Sequence, residues 1–450
     1  MRRAARSQGV ALGYLAWPLR GVMLVLLLAG VTFANDSIPG APQKTPIALV
    51  GGKIYPVSGE PIEEGIVLFE KGKITKVGKE VGLPDGTQQI DAKGKHIYPG
   101  LFDAHTNLGL VEIPSVRATL DERETGQINP NVEAIKAVHP DSELIPVTRS
   151  GGVLLALSSP DGPLLAGRSS VIQLDGWTWE EMAVARDVGM HLHWPSLAPN
   201  QAGAAPTGPR AGQIKARNEQ LAALKRAFED AAAYKIAREA AKKTEEFAID
   251  ARWEALLPVL DGKLPLMVHA NGAQEIEAAI EFAATRKLKI VICGGYDAEH
   301  CADLLKKHSV PVVILGTYRL PLRTDDAYDS PFSLPERLRA AGVRFCLSGG
   351  GKHSTENTRN LPYHAAMAVA FGLSEAEALR AITLSPAEIL GVANRVGSLE
   401  AGKDATLIVA NGNILDTATR VEQAWIQGKS VDLSDRQKKL HSKYLQKYRQ

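Results

Sequence analysis

The chain has 450 residues, 23% of them charged and 45% hydrophobic, an ordinary globular balance that excludes a disordered or fibrous protein. With 52 Lys and Arg against 50 Asp and Glu the formal charge is +2, so no broad basic field offers itself to nucleic acid. Three scattered cysteines, Cys293, Cys301 and Cys346, make neither a disulfide framework nor a Cys-rich zinc module.

In chain order, Arg2, Arg3, Arg6 and Arg20 precede an apolar run of 14 residues, 21–34, that ends near the small residues Thr32 and Ala34. Such a run is short for a hydrocarbon core of about 30 Å. A basic start, a short apolar stretch and small residues after it read as a secretory signal peptide over residues 1–34. An uncleaved anchor beginning at Leu12 is the alternative. No cysteine follows the run, so no lipid-attachment site is expected. Removing residues 1–34 takes away four Arg and no acid, which leaves a slightly acidic protein expected in the periplasm or outside the cell.

Residues 47–98 carry apolar runs of four or five between Gly-bearing turns (47–50 before Gly51-Gly52, 66–69 before Lys71-Gly72-Lys73, then 74–77), the pattern of hairpins. Residues 395–432 repeat it with runs at 405–409 and 421–426. Each piece is too small to bury its own core, so one shared β-sandwich built from both ends is expected. Between them, short β-branched runs (153–157, 266–269, 290–293, 312–315, 343–347) alternate with helical stretches at 274–284, 298–308 and 374–382. Strand followed by helix, repeated, predicts parallel strands with crossover helices closed into a barrel over residues 99–394. Two segments break the rhythm. Residues 195–212, rich in Pro, Gly and Ala, read as a surface excursion. Residues 213–248, rich in Ala, Lys and Glu around Leu221, Leu224, Phe228 and Ile236, read as an amphipathic helix packed on the barrel. Residues 433–450 form a basic C-terminal tail.

The strongest local motif is Tyr98-Pro99-Gly100-Leu101-Phe102-Asp103-Ala104-His105-Thr106-Asn107, which sets a histidine at the end of a predicted strand. Together with the segment around His269, with Thr383-Leu-Ser-Pro386-Ala387 and with residues 391–405, it resembles the amidohydrolase superfamily, in particular the imidazolonepropionase-like branch. The resemblance spans residues 47–430 in the expected order. It implies an α/β fold, a TIM-type (β/α)8 barrel flanked by a small β-sandwich, with one or two divalent metals at the barrel mouth. It further implies two histidines on strand 1, a Lys or Glu on strand 4, histidines on strands 5 and 6 and an aspartate on strand 8. The implied chemistry is hydrolysis of a non-peptide carbon–nitrogen bond, often in a cyclic amide, by metal-activated water.

The chain departs from that pattern at several of these positions. His105 is followed two residues on by Asn107, a weaker ligand than imidazole; His269 fits the strand-5 position; Gly294-Gly295 stand where a strand-6 histidine is implied, and Ser348-Gly349-Gly350-Gly351 where the aspartate is. No Lys or Glu follows an obvious strand-4 run; the nearest region holds Met190-His191-Leu192-His193-Trp194. Three readings follow. In the first, His105 and His269 with a third donor (His191, His193 or His353) hold one divalent metal, zinc foremost, and the protein is a small-molecule hydrolase. In the second no metal is needed, and Lys352 and His353, just past the glycines and near Glu356, are the catalytic candidates. In the third the barrel is a pseudo-enzyme that survives as a ligand-binding or interaction module. Asn107 and Asn271 are candidate substrate-binding amides. Asp103 is expected to be a structural hydrogen-bonding carboxylate and His364 to face solvent or the rim. Residues 167–170 are expected to form a turn, and the three cysteines to be small buried hydrophobes. The expected partner is a small-molecule substrate or ligand, with no nucleic acid, no membrane span once the leader is gone, and self-association into a homo-oligomer left open.

Overall fold

The computed structural model describes residues 37–197, 210–241, 247–349 and 355–450. The leader at 1–34 and the catalytic candidates Lys352 and His353 lie outside the described residues. From the N-terminal side come strands β1 (Ile47–Ile54), β2 (Ile62–Glu70), β3 (Lys73–Gly78), β4 (Gln88–Asp91) and β5 (His96–Pro99). A central set follows: β6 (Leu101–Thr106), β7 (Val153–Ser158), β8 (Leu165–Gln173), β9 (Ala183–His193), β10 (Leu266–Ala270), β11 (Ile290–Gly294), β12 (Val312–Leu315) and β13 (Phe345–Ser348). Near the C-terminal end are β14 (Leu407–Ala410), β15 (Val421–Ile426) and β16 (Lys429–Ser430).

Strands from the two ends make one eight-stranded sheet in the order β16-β15-β14-β5-β1-β2-β3, with β4 also on β1. The expected sandwich is thus a single curled sheet. Phe69 on β2 meets Trp425 on β15 edge to face at 5.8 Å although three strands lie between them. Period-2 alternation of side chains decides how this sheet joins the rest. On β14, Leu407 and Val409 enter the core shared with Leu49, Phe69 and Trp425, whereas Ile408 and Ala410 enter the large core under the barrel helices. Both faces of the strand are buried.

The second sheet is a nearly closed barrel in the order β6 to β13. Its strands β7 and β11 to β13 read as nearly continuous apolar runs because helices or barrel interior cover both faces, whereas β6 and β10, almost as buried, carry Asp103, His105 and His269 among apolar residues. Closure is made by side chains. Buried Asp103 on β6 accepts a hydrogen bond from Ser348 Oγ on β13 at 2.6 Å and another from the Gly349 N–H at 3.0 Å, and Ser348 Oγ also lies 2.7 Å from the His105 carbonyl oxygen. Asp103 therefore has the structural role expected of it.

The regular (β/α)8 pattern needs one correction. β8 runs antiparallel to both β7 and β9, while the other seven strands share one direction. The cause is connection length. Only residues 159–164 separate β7 from β8, whereas a parallel crossover needs a dozen or more. Residues 167–170 are accordingly part of β8 and not a turn, with Gly167 at φ +127° and Arg168 paired to Asp187 and Glu133. The helix Arg210–Ala241 packs through Leu224, Ala227, Phe228 and Ala231, four residues spaced to share one face.

Candidate metal centre

Three strands bring three imidazoles together. β6 carries His105 at its C-terminal end; β9 and β10 are parallel neighbours with Met267 opposite His191 and His269 opposite His193. Because alternate residues face the same way, His191 and His269 both turn into the barrel beside His105. Ring centroids are 4.9 Å apart for His105 and His269, 5.6 Å for His105 and His191, and 5.3 Å for His191 and His269. One nitrogen from each lies within 4.8 Å of the others, compact enough to hold one ion.

The electrostatics suit ligands. His105 and His191 are buried, and among the described residues neither ring nitrogen of His105 nor Nε2 of His191 has a hydrogen-bond partner. A buried polar nitrogen without a partner costs about 1–3 kcal/mol, and an electron-pair acceptor at the centre would relieve it. Burial above all, then the neighbouring His193, lowers the His105 pKa to about 4; burial and the neighbouring imidazoles hold His191 well below its ordinary value. Both rings are neutral at pH 7, the form that binds metal. His191 Nδ1 and His269 Nε2 share a hydrogen bond of 3.0 Å.

His193 stands just outside the trio. Its ring stacks on His269, 4.2 Å between centroids and 8° from parallel, and its Nε2 is 3.4 Å from buried Asp161, which also pairs with Arg123 at 3.1 Å. The two candidate amides have different surroundings. Asn107 is buried and donates to the Ser159 carbonyl at 2.8 Å, leaving Oδ1 unpartnered among the described residues. Asn271 follows β10 and lines a cavity of about 1460 Å³ with Trp194, Tyr296 and Arg323. None of the three imidazoles lines that cavity. Gly294, at the implied strand-6 histidine position, gives Asn271 its space: a Cβ there would sit 2.1 Å from Asn271 Oδ1.

The structure thus unites His105 and His269 with His191, one of three candidate third donors in the sequence. The signal for His191 is the His-x-His spacing on an apolar run; what the sequence lacks is the register that aims it. His364 is buried, not solvent-facing: its Nδ1 accepts from the Thr317 N–H at 3.0 Å. Cys293, Cys301 and Cys346 are buried and unpaired. Glu356 is exposed.

Comparison with known proteins gives the centre its context. Residues 227–431 match the amidohydrolase family. The chain is 25% identical over 407 residues to amidohydrolase tasK of Hapsidospora irregularis, covering 81% of this chain but only 39% of that longer protein. It is 25% identical over 377 residues to imidazolonepropionase of Mesorhizobium japonicum, covering 77% of this chain and 86% of that one. A solved amidohydrolase from Thermotoga maritima superposes with a TM-score of 0.76 at 28% identity, over 86% of this chain and 99% of its own. Fold and relatives agree: the chain is similar to the amidohydrolase superfamily, and among its relatives to imidazolonepropionases.

Proposed function

We propose that this protein hydrolyses a non-peptide carbon–nitrogen bond in a small molecule, a cyclic amide or a close analogue, at the centre formed by His105, His191 and His269. One observation carries the reading: three imidazoles from three strands converge within 4.8 Å, with ring nitrogens of His105 and His191 unpartnered. A divalent ion held by them, zinc foremost for an all-imidazole set, would supply Lewis acidity and a lowered pKa for nearby water. His105, His191 and His269 serve as neutral donors fixed by the barrel wall. His193, with Nε2 turned to Asp161, would use its other ring nitrogen, Nδ1, to take a proton from water as the water oxygen attacks the carbonyl carbon. It then returns that proton to the nitrogen as the C–N bond breaks. Asn271 offers an amide on the cavity wall to hold the substrate. The substrate is a small molecule and not nucleic acid, and the place of action is the periplasm or the exterior, as the basic and apolar N-terminal residues suggest. Self-association into a homo-oligomer is compatible with the reading.

A second reading has its own support. The His191–His269 hydrogen bond satisfies one nitrogen of each ring without an ion, and the sequence Ser348-Gly349-Gly350-Gly351 stands where an aspartate is implied, which fits a metal-free binding module. Elemental analysis of the purified protein, paired with turnover on a panel of cyclic amides and dipeptides, separates the two. The hydrolase reading expects about one equivalent of zinc, manganese or iron, lost in the His105→Ala, His269→Ala double variant together with activity. A protein without metal and indifferent to that double variant would be the binding module.

A further inference from the structure

The last described helix, Arg436–Lys447, has no residue buried against the rest of the chain, and every residue from Arg436 to Gln450 is exposed. Asp435 starts it by accepting from the Lys438 N–H at 2.8 Å, so its beginning is well specified. Beyond that cap its sequence is asymmetric in two ways. Arg436, Lys438, Lys439, Lys443, Lys447 and Arg449 put six cations in fifteen residues that contain no Asp or Glu. Residues four apart share a helix face, so Lys439, Lys443 and Lys447 form one stripe. Leu440, Tyr444 and Tyr448 form the stripe beside it, with Leu445 on its far flank. Leu440 is 42% exposed, Tyr444 50%, Leu445 40% and Tyr448 80%.

A solvated helix has no need of an apolar stripe, and a helix packed on its own protein would hide one. Low overall hydropathy, a distinct apolar face and flanking lysines are the composition of helices that lie in a membrane interface. Tyrosine suits that depth because its ring is apolar and its hydroxyl is wet. We infer that the helix Arg436–Lys447 is a peripheral docking element for an anionic lipid surface: Leu440, Tyr444 and Tyr448 enter the headgroup boundary while Lys439, Lys443 and Lys447 meet lipid phosphates. An acidic protein would satisfy the cations but gives no account of the tyrosine stripe at this depth. Among the described residues no helix is long and apolar enough to cross a membrane, so the contact is one of lying on the surface. It does not depend on the proposed hydrolysis.

The test is hydrogen–deuterium exchange on the full chain with vesicles, which reads residues 436–448 locally whatever the N-terminal residues do. With phosphatidylglycerol vesicles, exchange in this helix should slow; with phosphatidylcholine vesicles, or with phosphatidylglycerol in 0.5 M salt, on the order of Debye-screened conditions, it should not. The triple variant Lys439→Gln, Lys443→Gln, Lys447→Gln should bind phosphatidylglycerol about 100-fold more weakly, near fivefold per lysine. Its melting temperature should be unchanged because the residues are exposed. The inference is overturned by equal protection on both lipids or by no protection on either. It is equally overturned if protection comes from polyglutamate or from raised protein concentration but not from vesicles.

Discussion

His191 and His193 are two residues apart on one strand, yet burial gives them different tasks. His191 is fully buried and faces His105 and His269; His193 is partly exposed and faces Asp161. His191→Ala should therefore lower zinc affinity by more than about 100-fold, a loss beyond that of removing an outer partner. His193→Ala should keep the metal and lower kcat by about 10²–10⁴, the usual worth of a positioned proton-transfer group. Metal content after dialysis, measured beside turnover, checks both. A buried histidine away from the centre sets a pH dependence. His364 bridges the turn after β12 and the backbone at Gly349, and its pKa is lowered to about 4, chiefly by burial. Between about pH 6.5 and 4 the unfolded chain binds a proton there that the native state does not. Stability thus falls as pH drops through that window, by about 2 kcal/mol at pH 5 from His364 alone. Asp103, raised to about 6 mainly by burial, binds its proton in the native state first and works in the opposite direction. Urea titrations at pH 7 and pH 5 should show a smaller loss for His364→Gln than for the native chain.

At the scale of elements, the barrel depends on places where a strand end has no side chain. Gly294 closes β11 at φ +99°, and a Cβ there would fall 2.1 Å from Asn271 Oδ1. Gly294→Ala should destabilise by about 1–3 kcal/mol through both backbone strain and the displaced amide. It should also raise KM if Asn271 holds substrate. Chemical denaturation and steady-state kinetics separate the two effects. The same crowding explains why the missing strand-6 histidine was visible as two glycines but its meaning was not: only the fold shows that Asn271 occupies the space. The strands β10, β11 and β12 were legible from their compact β-branched runs. β8 and β9 were not, because Leu165–Gln173 and Ala183–His193 mix glycine, charge and apolar residues without clear alternation. Their pairing partners decide them.

Across the whole molecule, strands some 300 residues apart build one sheet, and its two faces serve two cores. Trp425 lies where the curl of that sheet brings β15 to β2. Trp425→Ala should cost about 3–5 kcal/mol, the range for a buried aromatic replaced by alanine. A far smaller shift in the denaturation midpoint would mean that the two ends of the chain stabilise each other little. By itself the amino-acid sequence determined the class of fold, the β-rich pieces at both ends, the family likeness and the two histidines His105 and His269. These are local facts, carried by periodicity, turn chemistry and short motifs. Tertiary structure alone decided that β8 runs backwards and that the terminal pieces form one curled sheet. It alone selected His191 as the third imidazole at the centre, with His193 turned to Asp161. Register, closure and the meeting of side chains from distant strands are properties of packing, which acts between segments that no local pattern connects.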